Sequence, residues 1–313
     1  MMNTMKALRF HTFGPPTVLA IEEIPRPEPG PGEALVQVKA AGINPADVKN
    51  VAGHFKSTTL PRTPGRDFSG VVVAGNRFSG QEVWGSAPGF GISRDGVQAE
   101  YVAVPEEALS RKPATLSMEQ AAAIGVPFIT AWTALIRAAE LQAGETLVIV
   151  GAAGSVGQAA TQIANWKGAR VIGAGRDTEI DTDTRDLRAC VFELTNGKGA
   201  DVVFDLVGGP LFEPALRALG HGGRQIAIAS TSDQRVGFNL VDFYHNESRL
   251  IGVDSNHLNA RDVGEIAAAL TPGFEADVLK APAIETVPFE NAAEAYQSVA
   301  GGRAGKKVVL AFG

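Results

Sequence analysis

Cysteine is nearly absent from this chain: one residue, Cys190, in 313. A lone thiol excludes an internal disulfide and a cysteine-rich zinc site. Histidine is scarce as well, and His11, His54, His221, His245 and His257 show no metal-ligand spacing; each reads as a surface or capping residue. Charged residues make up only 20% of the chain, the net charge is −6, and no basic block is present, which argues against nucleic acid as the main partner. No apolar run reaches membrane-spanning length, and the N-terminus has no apolar signal-peptide core, so the expectation is no membrane partner and a cytoplasmic location. Internal repeats and low-complexity tracts are missing too. What remains is 45% hydrophobic, enough for a full core, in a length that favours two domains.

The most informative stretch runs from Thr146 to Gln158. Thr146-Leu147-Val148-Ile149-Val150 is an apolar, β-branched run of the kind found in buried parallel strands. Gly151-Ala152-Ala153-Gly154-Ser155-Val156-Gly157 follows, and Ala159, Ile163 and Ala164 then recur at helical spacing. Strand, tight turn and helix N-terminus expose free N–H groups and a positive dipole end to an anion. Gly154 lets a pyrophosphate approach the backbone, and Gly157 lets the helix lie close on the strand. Ala152 stands where the strict dinucleotide fingerprint has its first glycine, so the turn alone is also compatible with an ordinary strand-to-helix connection. Further strands at Arg170–Ala174, Ala200–Asp205 and Gly223–Ala229, with a helix-like segment from Pro210 to Leu219, extend the pattern. Strands alternating with helices predict an α/β fold with a doubly wound parallel sheet.

Residues 1–120 read differently. Proline and glycine are dense (Gly14-Pro15-Pro16, Pro25, Pro27, Pro29, Gly30-Pro31-Gly32), and short alternating runs such as Glu33 to Ala40 lie between them. That is the pattern of a mostly antiparallel β domain. Ser117-Met118-Glu119-Gln120 resembles a capping box ahead of an alanine run. A helix is expected around Ala260–Leu270, and a last strand, Lys306 to Leu310, is expected to return to the first domain.

Several motifs now carry a resemblance along nearly the whole chain. They are Ala41-Gly42-Ile43-Asn44-Pro45-Ala46-Asp47, Pro64-Gly65-Arg66-Asp67-Phe68-Ser69-Gly70, Ala99-Glu100-Tyr101-Val102 and Thr130-Ala131-Trp132-Thr133-Ala134-Leu135. Ala152 to Gly157, Ala200 to Gly209 and Gly305 to Leu310 complete the series. In this order they resemble the zinc-independent, quinone-oxidoreductase-like branch of the medium-chain dehydrogenases/reductases. The resemblance implies a GroES-like catalytic domain, residues 1–120 plus 257–313, with a Rossmann domain, residues 121–256, inserted in it. It also implies an active site in the cleft between the domains and a homodimer as the default assembly. Zinc-dependent relatives place a cysteine where this chain has Asn44 and a His-Glu pair where it has Arg66-Asp67. Asn and Arg do not replace zinc ligands, so no metal is expected.

The resemblance also assigns candidate residues. Asn44, held extended by the following proline, either faces the nicotinamide or substrate carbonyl as a catalytic group or is a plain Asn-Pro turn. Lys49 either reaches the cofactor ribose or is a solvated helix lysine. Asp47 reads as a structural hydrogen bond near a helix start. Phe55 takes the place of a pocket tyrosine, which removes one proton donor, and Arg66 with Asp67 is expected as an ion pair lining the substrate pocket, in a structural or a catalytic role. Thr130 either contacts the carboxamide of the cofactor or bonds its own helix. The cofactor-binding set is completed by Ala152, Ala153, Gly154, Ser155, Val156 and Gly157 in the turn, and by Arg176, Val207, Gly208, Ala229 and Ser230 beyond it.

NADPH is the expected cofactor. NAD-selective sheets end the second strand with an acid for the ribose 2′-hydroxyl. Here that position is Gly175, followed by Arg176, whose guanidinium can grip a 2′-phosphate; Asp177 is the competing acid, but it comes late. The spacing from Ala174 to Ala200 is too short for a helix, a strand and a second helix. It predicts that the first helix is deleted, that 177–183 is a short edge strand or loop, and that Arg185–Leu194 is the surviving helix. The reading is thus an NADPH-dependent reductase of a small quinone or α,β-unsaturated carbonyl. The alternatives are a trans-2-enoyl thioester reductase, which would want a tyrosine between Lys49 and Phe55, and an NADPH-binding sensor or structural protein with little turnover.

Overall fold

The computed structural model describes residues 4–87, 89–229, 231, 234–302 and 306–313. Ser230 and Gly305 lie outside the described residues. The chain forms two compact units, residues 1–129 with 256–313 and residues 130–255. The first break falls at 129/130 and the second at 255/256, where the sequence places them at 120/121 and 256/257.

The first unit is built on β1 (Thr4–Arg9), β2 (Ala20–Pro25), β3 (Glu33–Gly42), β4 (Asp67–Ala74), β5 (Glu82–Ser86), β6 (Tyr101–Pro105) and β7 (Ser110–Arg111). β1 and β2 form an antiparallel pair. The larger sheet has β3 at its centre: β4 and β6 pair with it antiparallel, and β5 and β7 continue from β4. The turn-rich sequence between these strands is what an antiparallel meander needs. Helix α1 (Pro45–Val51) leaves the end of β3, and its first position is proline, whose missing N–H costs nothing there.

Helices α2 (Met118–Ala121) and α3 (Gly125–Trp132) follow. The expected capping box is present: Gln120 N–H donates to Ser117 Oγ (3.2 Å) and Ser117 N–H to Gln120 Oε1 (3.0 Å). A π-helical turn, Thr133–Ala138, extends α3. Residues Met118–Ala138 therefore form one stretch long and apolar enough to cross a membrane by length and composition, which corrects the expectation that none reaches that length. Pro127 suggests a break, but it lies in the first turn of α3, where no N–H is needed. Most of the stretch, 78%, is buried, as in a core helix.

The second unit holds a parallel sheet. Its strands are β8 (Thr146–Val150), β9 (Arg170–Ala174), β10 (Ala200–Asp205), β11 (Leu219–Ala227) and β12 (Arg249–Gly252), in the order β12-β11-β10-β8-β9. Its helices are α4 (Ser155–Trp166), α5 (Leu187–Leu194), α6 (Phe212–Arg217) and α7 (Leu240–His245). The order departs from the six-strand doubly wound pattern in one place: the strand beyond β9 is missing. Residues 175–186 contain no helix, and only one bridge, Ala174 with Ile180, marks where that strand would lie. The expected strand is thus reduced to a bridge, but it is not loose. Gly175 N–H donates to Ile180 O and Ile180 N–H to Gly173 O, both at 2.9 Å, and the Ile180 side chain is fully buried.

The chain then returns to the first unit through α8 (Ala260–Glu275), β13 (Ile284–Pro288), α9 (Ala292–Ala300) and β14 (Lys307–Ala311). β14 pairs parallel with β13 and antiparallel with β3, so the C-terminal strand completes the first sheet. The whole is an α/β chain: a parallel Rossmann-type sheet inserted in a mostly antiparallel β unit.

Candidate active site

In the first unit the candidate residues gather at the junction of β3 and α1. Asn44 is the cap of α1 and has the extended backbone that the following proline favours (φ −105°, ψ 151°). Asp47 is the structural acid of that turn: its Oδ2 accepts the Asn44 N–H at 2.8 Å. The Asn44 side chain points to β4, where Nδ2 donates to Asp67 Oδ2 at 2.9 Å. The other Asp67 oxygen accepts Val126 N–H at 2.9 Å. A Cβ on Gly125 would lie 2.3 Å from that oxygen, so only glycine fits.

The expected Arg66–Asp67 ion pair is not what the fold makes. Neighbouring residues on a strand point to opposite faces, and the Arg66 guanidinium instead donates to Asn256 Oδ1. The cation beside Asp67 is Lys307, at the start of β14, with Nζ 3.7 Å from Asp67 Oδ2. Lys307 also donates to Asn44 Oδ1. Asn44, Asp47, Arg66, Asp67 and Lys307 are all buried, and the two acids balance the two bases. Burial pushes the Asp47 carboxyl above the usual carboxylate range; the charge of Arg66 opposes the shift and that of Asp67 adds to it. Burial pulls the Lys307 ammonium down, against the charges of Asp67 and Asp47.

Lys307 is the residue the sequence reading misses, yet it leaves a signal. Lys306 and Lys307 open a strand, and strand alternation turns one of any two neighbours inward. Tyr296 is missed in the same way: it is fully buried, its hydroxyl donates to Gln98 Oε1 at 2.7 Å, and burial holds its pKa well above the usual phenol value. Lys49 and Phe55 stand apart from the cluster's hydrogen bonds. Lys49 is exposed on the last turn of α1, and Phe55 is half-buried just beyond it.

In the second unit the glycine turn joins β8 to α4. Gly151 takes φ +88°, and its N–H donates to Ala174 O at 2.8 Å. Gly157 is packed against the turn, since a Cβ there would lie 2.5 Å from Gly151 O. Ala153, Gly154 and Ser155 are exposed, with Ala152 and Val156 half-buried beside them. Gly154 caps a twelve-residue helix whose first N–H groups have no partner within it. A Cβ on Gly154 would meet only Gly151 O, at 3.4 Å. This cradle fits the pyrophosphate of a dinucleotide.

The rest of the expected set is more mixed. Val207 and Gly208 N–H both donate to Asp205 Oδ1 (3.0 and 2.8 Å), so their amides are committed to the turn. Asp205 is fully buried and shapes this strand end, although the sequence reading gave it no role. Ala229 is exposed beyond the end of β11. The Thr130 hydroxyl lies 3.0 Å from the Ser255 hydroxyl rather than on its own helix. Arg176 is exposed at the end of β9, and its Nε is 3.5 Å from Asp183 Oδ2.

Zinc fits none of this. Asn44 and Asp67 are engaged with each other and with Lys307, and Arg66 and Lys307 already put two cations in the cluster. Among the described residues no group of three or more His, Cys, Asp or Glu side chains is placed to hold a metal.

Comparison with known proteins agrees with the architecture. The family model of the alcohol dehydrogenase GroES-like domain matches residues 30–114, and that of the zinc-binding dehydrogenases matches residues 155–271. A zinc-type alcohol dehydrogenase-like protein of Schizosaccharomyces pombe is 38% identical over 285 residues, 88% of this chain and 87% of its own length. The quinone oxidoreductase of Homo sapiens is 32% identical over 328 aligned positions, covering 98% of both chains. The crystal structure of an alcohol dehydrogenase superfamily protein from Novosphingobium aromaticivorans superposes with a TM-score of 0.90 at 30% identity, covering 99% of this chain and all of that one. The chain belongs to the quinone-oxidoreductase-like medium-chain dehydrogenases/reductases, enzymes that work with a nicotinamide cofactor.

Proposed function

We propose that the chain is an NADPH-dependent reductase of quinones or α,β-unsaturated carbonyls that works without zinc, as a homodimer in the cytoplasm. The observation that carries this reading is the cluster around Asn44: a buried, charge-balanced set of hydrogen bonds built on the residues that stand where zinc-dependent relatives have metal ligands. The single free cysteine, buried on α5, suits a reducing compartment.

The bound cofactor supplies a hydride. The chain's own residues do the rest. The glycine turn binds the pyrophosphate through the N-terminus of α4. Arg176 offers its guanidinium to a 2′-phosphate. Asn44 donates from Nδ2 to the oxygen of the acceptor, on which negative charge grows as the acceptor carbon takes the hydride. No strong acid stands out among the candidate residues, and the Tyr296 hydroxyl is committed to Gln98, so the proton that completes the reaction is assigned to water.

The test is NADPH oxidation with a panel of quinones and enones. Turnover of at least one class is expected. A protein that binds NADPH and turns over none of the panel would be a binding module instead.

A further inference from the structure

Lys307 is a fully enclosed lysine, its side chain 4% exposed, and the proposed reaction has so far left it without a role. We propose that Lys307 is a positioning residue: it fixes the Asn44 side chain so that an N–H, and not the carbonyl oxygen, is presented to the acceptor's oxygen. The inference rests on the reductase reading above and deepens it.

A carboxamide can usually sit either way round, because its oxygen and nitrogen have nearly the same shape. Here its two neighbours leave one choice. An ammonium has only protons to give, so the atom facing Lys307 Nζ is oxygen. An ionised carboxylate only accepts, so the atom facing Asp67 Oδ2 is nitrogen. Asp67 is itself held from its other oxygen by Val126 N–H, in a space that Gly125 keeps free of a side chain. One of the two Nδ2 protons goes to Asp67, and among the described residues the second has no acceptor. That proton is the donor Asn44 has to offer. A donor fixed before reaction stabilises charge that develops later, with no reorganisation at that moment. The ammonium behind the carbonyl also polarises the amide and strengthens the N–H it offers.

A lysine that acted on the acceptor directly through its positive charge would do so whether or not Asn44 is present. A positioning residue would not, because its effect passes through Asn44. The experiment is therefore a double-mutant cycle on Asn44→Ala and Lys307→Met, read in two ways: kcat with 1,4-naphthoquinone, and the affinity for 4-nitrophenolate, an oxyanion probe, by its absorbance shift in the presence of NADP. Each single change should lower both readouts on the order of tenfold with KM for NADPH within about twofold, and the double variant should be no worse than Asn44→Ala alone. Lys307→Gln, which still offers an N–H to Asn44 Oδ1, should recover most of the loss; it also serves if Lys307→Met does not fold. Additive losses in the cycle, a Lys307→Met protein with wild-type phenolate affinity, or a Lys307→Gln protein as impaired as Lys307→Met would each overturn the proposal. If the wild type reduces no acceptor in the panel, the reductase reading fails by itself, and the phenolate cycle still decides whether Lys307 orients Asn44.

Discussion

Asp67 shows how one carboxylate can organise a site. It fixes Asn44 from one oxygen and Val126 from the other, and it does so only because residue 125 has no side chain. Gly125→Ala should therefore destabilise the chain by about 1–3 kcal/mol, the usual cost of overpacking, and should lower kcat with it; a variant with wild-type melting temperature and rate would show that Asp67 has room to move. At the same cluster, purified protein is expected to carry no stoichiometric zinc by elemental analysis and to keep its activity after extensive chelation. A tightly bound, activity-supporting metal would refute the zinc-free reading.

A second residue-scale prediction concerns pH, beside the start of β8 in the parallel sheet. Arg224 forks onto Glu145 with contacts of 2.9 and 2.7 Å. Burial pushes the Glu145 carboxyl up, but hydrogen bonds from Arg224 and the Gln142 N–H, with the charges of Arg224 and Arg249, more than offset it, and the net shift is downward from 4.5. A folded-state value below the unfolded one means that the stabilisation is complete above pH 4.5 and is lost as pH falls through the lowered value. Arg224→Met should cost about 2 kcal/mol near neutral pH, since a largely buried pair is broken while Glu145 keeps partial solvent access. It should also flatten the acid limb of a stability-against-pH curve; an unchanged acid limb would show the pair to be inert.

At the scale of elements, the parallel sheet was the most legible part of the chain. β8, β9 and β10 stand where β-branched runs bounded by turn residues put them, and the deleted helix was visible as a shortage of residues between Ala174 and Ala200. β12 was not visible: it is short and exposed, and it begins with Arg249, so no apolar run announces it. In the first unit the motif around Asn44 was legible, but its real partner was not. Lys307 is 263 residues away in sequence from Asn44, and only the pairing of β14 with β3 brings the two together. The short connection after β9 carries the next prediction. Arg176 and Asp183 are both exposed, 80% and 64%, so their contact is weak and screened by solvent. A 2′-phosphate with two negative charges should win that guanidinium. Arg176→Ala should lower the ratio of NADPH to NADH efficiency on the order of tenfold, as losing a charge-assisted hydrogen bond does. Asp183→Asn should leave the ratio equal or higher. A ratio unmoved by Arg176→Ala would remove Arg176 from the cofactor site.

At the scale of the whole molecule, most of the exposed large apolar side chains of the described residues collect in one stretch of the second unit. Among the described residues, the large hydrophobic side chains that stay exposed are Phe13, Val73, Val278 and five more: Val236, Leu240, Val241, Tyr244 and Leu250. Those five lie within 236–250, on α7 and β12 and just ahead of them. Among the described residues β12 is the outer strand of its sheet and pairs with β11 alone, so its other edge offers N–H and C=O groups with no strand partner. An open edge beside exposed apolar side chains invites association, and natural sheets usually blunt such edges with charge or cover them. Arg249 is the only charge on this strand. A second copy is the simplest cover: a two-fold axis sets β12 antiparallel to itself and presents the same apolar patch from both sides. A stable contact of this kind buries about 800 Å² per partner, which a strand edge together with a neighbouring helix can supply. Sedimentation of the wild type at micromolar concentration should therefore give a dimer. The pair Leu240→Glu and Leu250→Glu, both at exposed positions, should give a folded monomer with an unchanged far-UV spectrum. A wild type that sediments as a monomer, or a double variant that still sediments as a dimer, would move the interface away from β12.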